Sequence, residues 1–163
     1  MEEKQMIATY LQMLNSSLIR KVEILEELLE LTEEQNLAFT NENSTFEVIE
    51  QCVEKKEPLI RQINEMDNGF DSVYSKIKDA VYKDKELYRS ELQQLQESIV
   101  KVTELSVKIQ TLEQNNKLKF EVFSNNKRQE IKQFKVSNKT VSTYYKNMTG
   151  KPQGESYFYD KKK

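Results

Sequence analysis

The chain has 163 residues, a net charge of −2, no histidine, one cysteine, three glycines and two prolines. So few turn-forming residues exclude a protein of many short strands and favour a few long helices. This composition also excludes Cys/His zinc sites, disulfide frameworks and histidine-based triads, and the glycines form no phosphate-binding motif. We therefore expect a protein that is not an enzyme and that needs no cofactor or metal.

The first periodic segment covers about residues 3–39 and carries leucines at heptad spacing. Five of the seven positions along this heptad register are apolar, which predicts a helix with one continuous apolar stripe. The register runs through Leu11, Leu14, Leu18, Lys21, Leu25, Leu28 and Thr32.

The second segment opens with Ser44-Thr-Phe-Glu47, which matches a capping box and predicts a helix over about residues 45–82. Pro58 lies inside this helix and predicts a kink, because proline removes one helical hydrogen bond. A second apolar row, repeating every seven residues, widens the stripe, so we expect this helix to contact two neighbours. That row is Cys52, Leu59, Met66, Val73 and Ala80, and it makes Cys52 a small buried hydrophobe rather than a reactive thiol.

The third segment begins near Asp84 and keeps one heptad register as far as Met148. A single helix over 84–148 would be about 97 Å long, against about 55 Å for each of the first two. Two alternatives follow. The last part either projects as an overhang or folds back as a fourth helix, with Asn125-Asn126 as the predicted break. Both give an all-α fold, an elongated antiparallel three-helix bundle with a long third helix.

Charge and aromatic content divide the chain unequally. Residues 1–113 carry 13 basic and 23 acidic side chains, whereas residues 114–163 carry 12 basic and 4 acidic ones. Eight of the fifteen aromatic residues lie in the last fifty. This asymmetry predicts an acidic helical body over 1–113, a partner-binding segment over 114–148 and a flexible basic tail over 149–163.

The partner-binding segment carries aromatic and apolar side chains at helical spacing, which favours capture of a partner helix. The candidate binding residues are Phe120, Phe123, Phe134 and Val141, with Phe120 and Phe123 as exposed anchors beyond the reach of the first two helices. The alternative is a fold-back helix in which Phe134, Val141 and Tyr144 pack on Phe120 and Phe123. The basic residues are too dispersed to favour nucleic acid.

The start of the chain, Met1-Glu-Glu-Lys-Gln5, lacks the layout of a secretion signal, and no apolar run approaches the length of a membrane span. These features predict a cytoplasmic protein without membrane insertion. The wide stripe on the second helix favours packing within one chain over a zipper dimer, so we expect a monomer or a weak homodimer.

Two stretches of the second helix, Lys55–Ile63 (KKEPLIRQI) and Met66–Tyr74 (MDNGFDSVY), follow an acidic, leucine-rich first helix. Together they resemble flagellar export chaperones of the FlgN type, which escort hook–filament junction proteins. The pair Asn115-Asn116 and the tail Glu155–Lys163 (ESYFYDKKK) also look like members from clostridia-like bacteria. Many members have a Leu-Tyr-Gly element near the C-terminus, where this chain has Tyr144–Gly150 (YYKNMTG).

The resemblance implies a chaperone that binds the terminal helices of hook-associated proteins, prevents their premature assembly and delivers them to the export gate. It also implies that Tyr144 and Tyr145 dock to a component of that gate. Two other functions stay open. One is a chaperone for the filament-cap protein of the same export system, and the other is a coiled-coil adaptor with no flagellar role.

Overall fold

The computed structural model describes residues 2–126 and 131–150, with the side chains of the last helix described over 139–148. These residues form four α-helices and no strand: α1 (Glu2–Thr40), α2 (Phe46–Lys83), α3 (Arg89–Asn126) and α4 (Ile131–Gly150). The predicted all-α fold is therefore confirmed. The tail beyond Gly150 lies outside the described residues, so its predicted flexibility stays a prediction.

The third helix ends at the predicted break. α3 stops at Asn126, and α4 then packs back on α2 and α3. Of the two alternatives, the fold-back is the one that the structure adopts. α3 also begins later than predicted, because residues 84–88 form the turn after α2 and the Leu87 amide donates to the Asp84 carbonyl at 3.1 Å. As a result α1, α2 and α3 have nearly equal lengths of 39, 38 and 38 residues.

The predicted capping box is wrong. Thr45 is the N-cap residue of α2, with an extended backbone, and it makes no side-chain cap hydrogen bond within the described structure. The preceding turn explains the difference. The Ser44 amide donates to the Asn41 carbonyl at 3.0 Å, and the Asn41 side chain accepts from the Asn43 amide at 3.0 Å. Ser44 therefore belongs to the turn. α2 itself continues through Pro58 to Lys83, and the kink at Pro58 stays a prediction.

α1 lies between α2 and α3 and contacts both along its length. It runs parallel to α3, as the cross-helix bonds from Asn15 to Glu91 and from Asn36 to Asn116 show. It runs antiparallel to α2, as the bonds of Lys21 with Asp67 and of Gln35 with Lys56 show. α2 contacts α1 on one side and α4 on another. The predicted contact of α2 with two neighbours is confirmed, and Cys52 is buried as predicted.

Two separate apolar clusters hold the helices together. The larger one, here called the proximal core, joins α1, α2 and α3 and is mainly aliphatic; it includes Leu11, Leu14, Leu18, Leu25, Leu28, Ile63, Ile77, Leu95, Ile99 and Ile109. The smaller one, the distal core, lies where α1 ends, α2 begins, α3 ends and α4 folds back. Its buried members are Ala38, Phe46, Ile49, Val53, Phe120, Phe123, Val141, Tyr144 and Tyr145.

Candidate functional site

The distal core is built around four phenylalanine rings from three helices. Phe123 of α3 packs edge to face against Phe46 of α2, with ring centres 5.0 Å apart, and against Phe39 of α1 at 5.7 Å. Phe120 contacts the same two rings at 6.5 and 6.4 Å. Edge-to-face pairs of this kind add stabilisation beyond the apolar area that they bury. The rings therefore fix the ends of α1, α2 and α3 to one another.

The expectation that Phe120 and Phe123 lie beyond the reach of the first two helices is wrong. Each is only 7% exposed and contacts both Phe39 and Phe46. The reason is geometric: α3 is no longer than α1 and runs parallel to it, so its last turns meet the end of α1. In this conformation a partner has no access to either ring.

The apolar face of α4 covers this cluster. Val141 is fully buried, and Tyr144 and Tyr145 are 5% and 3% exposed. The ring of Tyr145 lies 5.5 Å from that of Phe120. Val141 and Tyr144 thus pack with Phe120 and Phe123, as the fold-back alternative predicts. The side chain of Phe134 lies outside the described ones, and docking of the two tyrosines to an export gate would require α4 to move.

Beside the rings, five polar side chains from all four helices form what we call the buried polar network: Gln35, Lys56, Glu113, Tyr144 and Tyr145. The Lys56 ammonium donates to Glu113 Oε1 and, at 2.9 Å, to Gln35 Oε1. The Tyr144 hydroxyl donates to Glu113 Oε2 at 2.6 Å, and Gln35 Nε2 donates to the Tyr145 hydroxyl at 2.5 Å. Lys56 Nζ also lies 4.8 Å from the centre of the Tyr144 ring, a cation–π contact.

The network holds an ion pair away from water, since the side chains of Lys56 and Glu113 are 0% and 1% exposed. Burial lowers the pKa of the Lys56 ammonium, and the Glu113 carboxylate opposes part of that shift. Burial, and next the charge of Glu113, raise the pKa of both tyrosine hydroxyls. The site therefore favours the neutral form of both tyrosines, and the Lys56 ammonium loses its proton more readily than it would in water.

A second polar layer lies next to the network, between α1 and α3. The Asn116 amide donates to the Thr32 carbonyl at 3.2 Å, and Asn116 Oδ1 accepts from Asn36 at 2.8 Å. Lys119 donates to Asn36 at 3.1 Å. These bonds hold α1 and α3 in one parallel alignment, because a shift by one residue would leave buried amides without partners.

The sequence interpretation missed the buried polar network because it treated each seam separately. Lys56 lies on the heptad register of α2, and Glu113 and Asn116 lie on that of α3, where each one is a polar interruption of an apolar row. Gln35 is the next position of the α1 register after Thr32. A signal was nevertheless present: polar seam residues of three helices fall at one level once the helices are aligned by their turns. Buried polar groups need partners, so residues at a shared level are expected to pair.

The described contacts of the distal core and the buried polar network join all four helices. Among the residues that the structure describes, no three metal-ligating side chains converge. In the same residues no helix is both long and apolar enough to cross a lipid bilayer. No protein-family model, curated protein or solved structure matches this chain.

Proposed function

We propose that this protein is a cytoplasmic export chaperone that binds the terminal helices of flagellar hook-associated proteins and delivers them to the export gate. The resemblance of α1 and of the stretches Lys55–Ile63 and Met66–Tyr74 to the FlgN type supports the class of client. The single observation that carries the proposal is the distal core, an aromatic cluster covered by one short amphipathic helix.

α4 provides the geometry for such binding. It is a 20-residue helix that lies on α2 and α3 and covers Phe120 and Phe123 with its own apolar face. A client helix of similar length and apolar spacing fits the same place, because recognition of a helix in a groove depends on anchors spaced by three and four residues. In this proposal the client replaces α4 and contacts Phe120 and Phe123, while Val141 holds α4 in the closed position.

Replacement of α4 also explains why such a protein would need no catalytic residues. Terminal helices of filament subunits pair with one another when they assemble, and a chaperone that buries them lowers the free concentration of the assembly-competent form by mass action. The apparent affinity for a client equals its intrinsic affinity reduced by the fraction of molecules with α4 open. A closed α4 therefore makes binding weaker and reversible.

The test is calorimetric titration of the full chain with a peptide of the C-terminal helix of a hook-associated protein. We expect saturable one-to-one binding that is at least about tenfold tighter for Val141→Asp, because a buried carboxylate releases α4. The matched control is Val107→Asp on the outer face of α3, where the side chain is 56% exposed. Binding that is absent, or that Val141→Asp leaves unchanged, contradicts the proposal.

The same titration separates the other candidates. Tighter binding of a filament-cap helix than of a hook-associated one would identify the protein as the cap chaperone. A stable dimer without a detectable monomer in sedimentation, together with no binding of either peptide, would favour the coiled-coil adaptor.

A further inference from the structure

α4 is attached to the rest of the protein differently from the other helices. It packs mainly on α2, and its described contacts include those with the distal core and the buried polar network. A helix of 20 residues has marginal stability alone in water, so α4 depends on these contacts. α1, α2 and α3 share the larger proximal core, which includes none of the α4 side chains described over 139–148.

Docking of α4 removes an ion pair from water. Two of the groups that cover Lys56 and Glu113, the ring and the hydroxyl of Tyr144, belong to α4. Taking a charged pair out of water costs free energy that the attraction between the charges only partly returns. The apolar contacts of Val141 and the tyrosine rings must therefore offset a desolvation cost each time that α4 docks.

The polar groups of the network can form hydrogen bonds whether α4 is docked or released. With α4 docked, the Glu113 carboxylate accepts from Lys56 and Tyr144, and Gln35 bonds to Lys56 and Tyr145. With α4 released, water can take the place of the two tyrosine hydroxyls. No charge would be left buried without a partner, so neither position carries the large penalty that would exclude it.

A second ion pair between helices, also among the described residues, has no such arrangement. Lys21 bonds to Asp67 at 2.7 Å in the proximal part, and the Asp67 side chain is 27% exposed. That pair joins α1 to α2, keeps contact with solvent and involves no residue of α4. It provides a matched comparison within the same chain.

We propose that the buried polar network limits the stability of α4 docking. Docking stays weak enough for α4 to undock and redock as a unit while α1, α2 and α3 stay folded. The geometry supports this assignment because the ion pair spans α2 and α3, whereas the groups that complete its burial come from α4. The proposal does not depend on the identity of any client.

Amide hydrogen exchange, measured by mass spectrometry on peptides of the full chain, tests whether α4 undocks on its own. In the wild-type protein we expect the amides of α4 to exchange at least about a hundredfold faster than those at the centre of α1, without global unfolding. Equal protection of the two helices would overturn the proposal, since α4 would then open only with the whole bundle.

Two variants with opposite expected effects sharpen the test. Glu113→Leu leaves Lys56 buried without its carboxylate, and we expect α4 to open at least about tenfold more often. The triple variant Lys56→Met, Glu113→Leu and Tyr144→Phe removes the ion pair together with the hydroxyl that serves it. We expect its α4 to open at least about tenfold less often, because apolar side chains of similar volume carry no desolvation cost.

The matched control replaces the proximal pair by Lys21→Met and Asp67→Leu, and we expect the protection of α4 to stay unchanged. A triple variant whose α4 is less protected than in the wild type, or which loses its helical circular dichroism, would overturn the proposal. A less protected α4 would mean that the network stabilises docking instead of limiting it. Loss of the helical signal would mean that the network holds α1, α2 and α3 together, so that its role is not confined to α4.

Discussion

The two ends of this bundle use the same heptad spacing and reach different structures. In the proximal part, the seams of α1, α2 and α3 carry mainly leucine, isoleucine, valine and phenylalanine, and the described members of this core come mainly from these three helices. At the distal end the seams carry Gln35, Lys56 and Glu113, which are buried in contact with Tyr144 and Tyr145 of a fourth helix. The difference shows how a few polar seam residues can change the number of helices that pack at one level.

The same difference affects how strongly each core holds its helices and how readily α4 undocks. An aliphatic core gains free energy roughly in proportion to the apolar area that it buries. A core that contains an ion pair gains less, but it discriminates against misaligned packing because each polar group needs its own partner. The proximal part therefore holds the fold, and the distal part is where we expect α4 to move.

The largest expected effect comes from placing a carboxylate in each core. Ile77 and Val141 are 2% and 0% exposed. Ile77→Asp should abolish the cooperative thermal transition, because the proximal core holds three helices together. Val141→Asp should leave that transition in place and remove only the protection of α4. Circular dichroism melts and hydrogen exchange measure the two results; loss of the whole fold in Val141→Asp would contradict the separation of the two parts.

A smaller effect is expected from the rings of the distal core. Phe123→Ala should lower the free energy of unfolding by about 3–5 kcal/mol, as for other buried phenylalanines. Leu118→Ala on the same helix, where the side chain is 64% exposed, should change it by less than about 0.5 kcal/mol. Urea melts give both values. A cost for Phe123→Ala as small as that for Leu118→Ala would show that this ring is not part of the core.

A still smaller effect is expected at the proximal ion pair. Asp67→Asn should lower the free energy of unfolding by about 1 kcal/mol, because Asp67 is partly exposed and solvent screens the lost attraction. The control is Arg20→Gln, which removes the exposed Arg20–Glu23 pair and should have almost no effect. If Asp67→Asn lowered the free energy of unfolding as much as Phe123→Ala does, the contribution of the Lys21–Asp67 pair would also depend on burial.

The smallest effect is expected from alkaline pH. Burial and the charge of Glu113 raise the pKa of Tyr144 and Tyr145 in the docked state. Above about pH 10 the open form therefore releases protons that the docked form keeps, and docking weakens as the pH rises. The lowered pKa of Lys56 acts in the opposite direction, favouring docking as the pH rises toward the ordinary lysine value.

Tyrosinate absorbance and α4 hydrogen exchange, followed together over the alkaline range, measure this dependence. The groups facing the two hydroxyls are Glu113, Gln35 and Lys56, with Glu57 and Cys52 near enough to act on their charge. Tyr144→Phe should weaken the alkaline opening of α4. A release of α4 that is independent of pH in both proteins would contradict the assignment.

Much of the fold could be predicted from local pattern. The bounds of α1 and α2, the break after Asn126 and the burial of Cys52 follow from apolar spacing, scarce turn residues and an Asn-Asn pair. These features act within one helix, so a single register is enough to read them. The capping box at Ser44 failed because the side chain of Asn41 organises a turn that includes Ser44.

The candidate site could be predicted only in part. Phe120, Phe123 and Val141 were identified as important side chains, but whether they face solvent or a neighbour depends on where α4 lies. The buried polar network was missed, since Gln35, Lys56 and Glu113 are far apart in the chain and meet only through the alignment of three helices.

By itself, the sequence determined that this protein consists of long amphipathic helices, the approximate bounds of α1 and α2, and which helix faces are apolar, because the spacing of apolar residues sets these properties locally. Only the tertiary structure decided that α1 lies between α2 and α3, that α4 covers the distal rings, and that Lys56 and Glu113 pair out of water. Those outcomes depend on contacts between distant segments, where the cost of burying a charge depends on every neighbour that surrounds it.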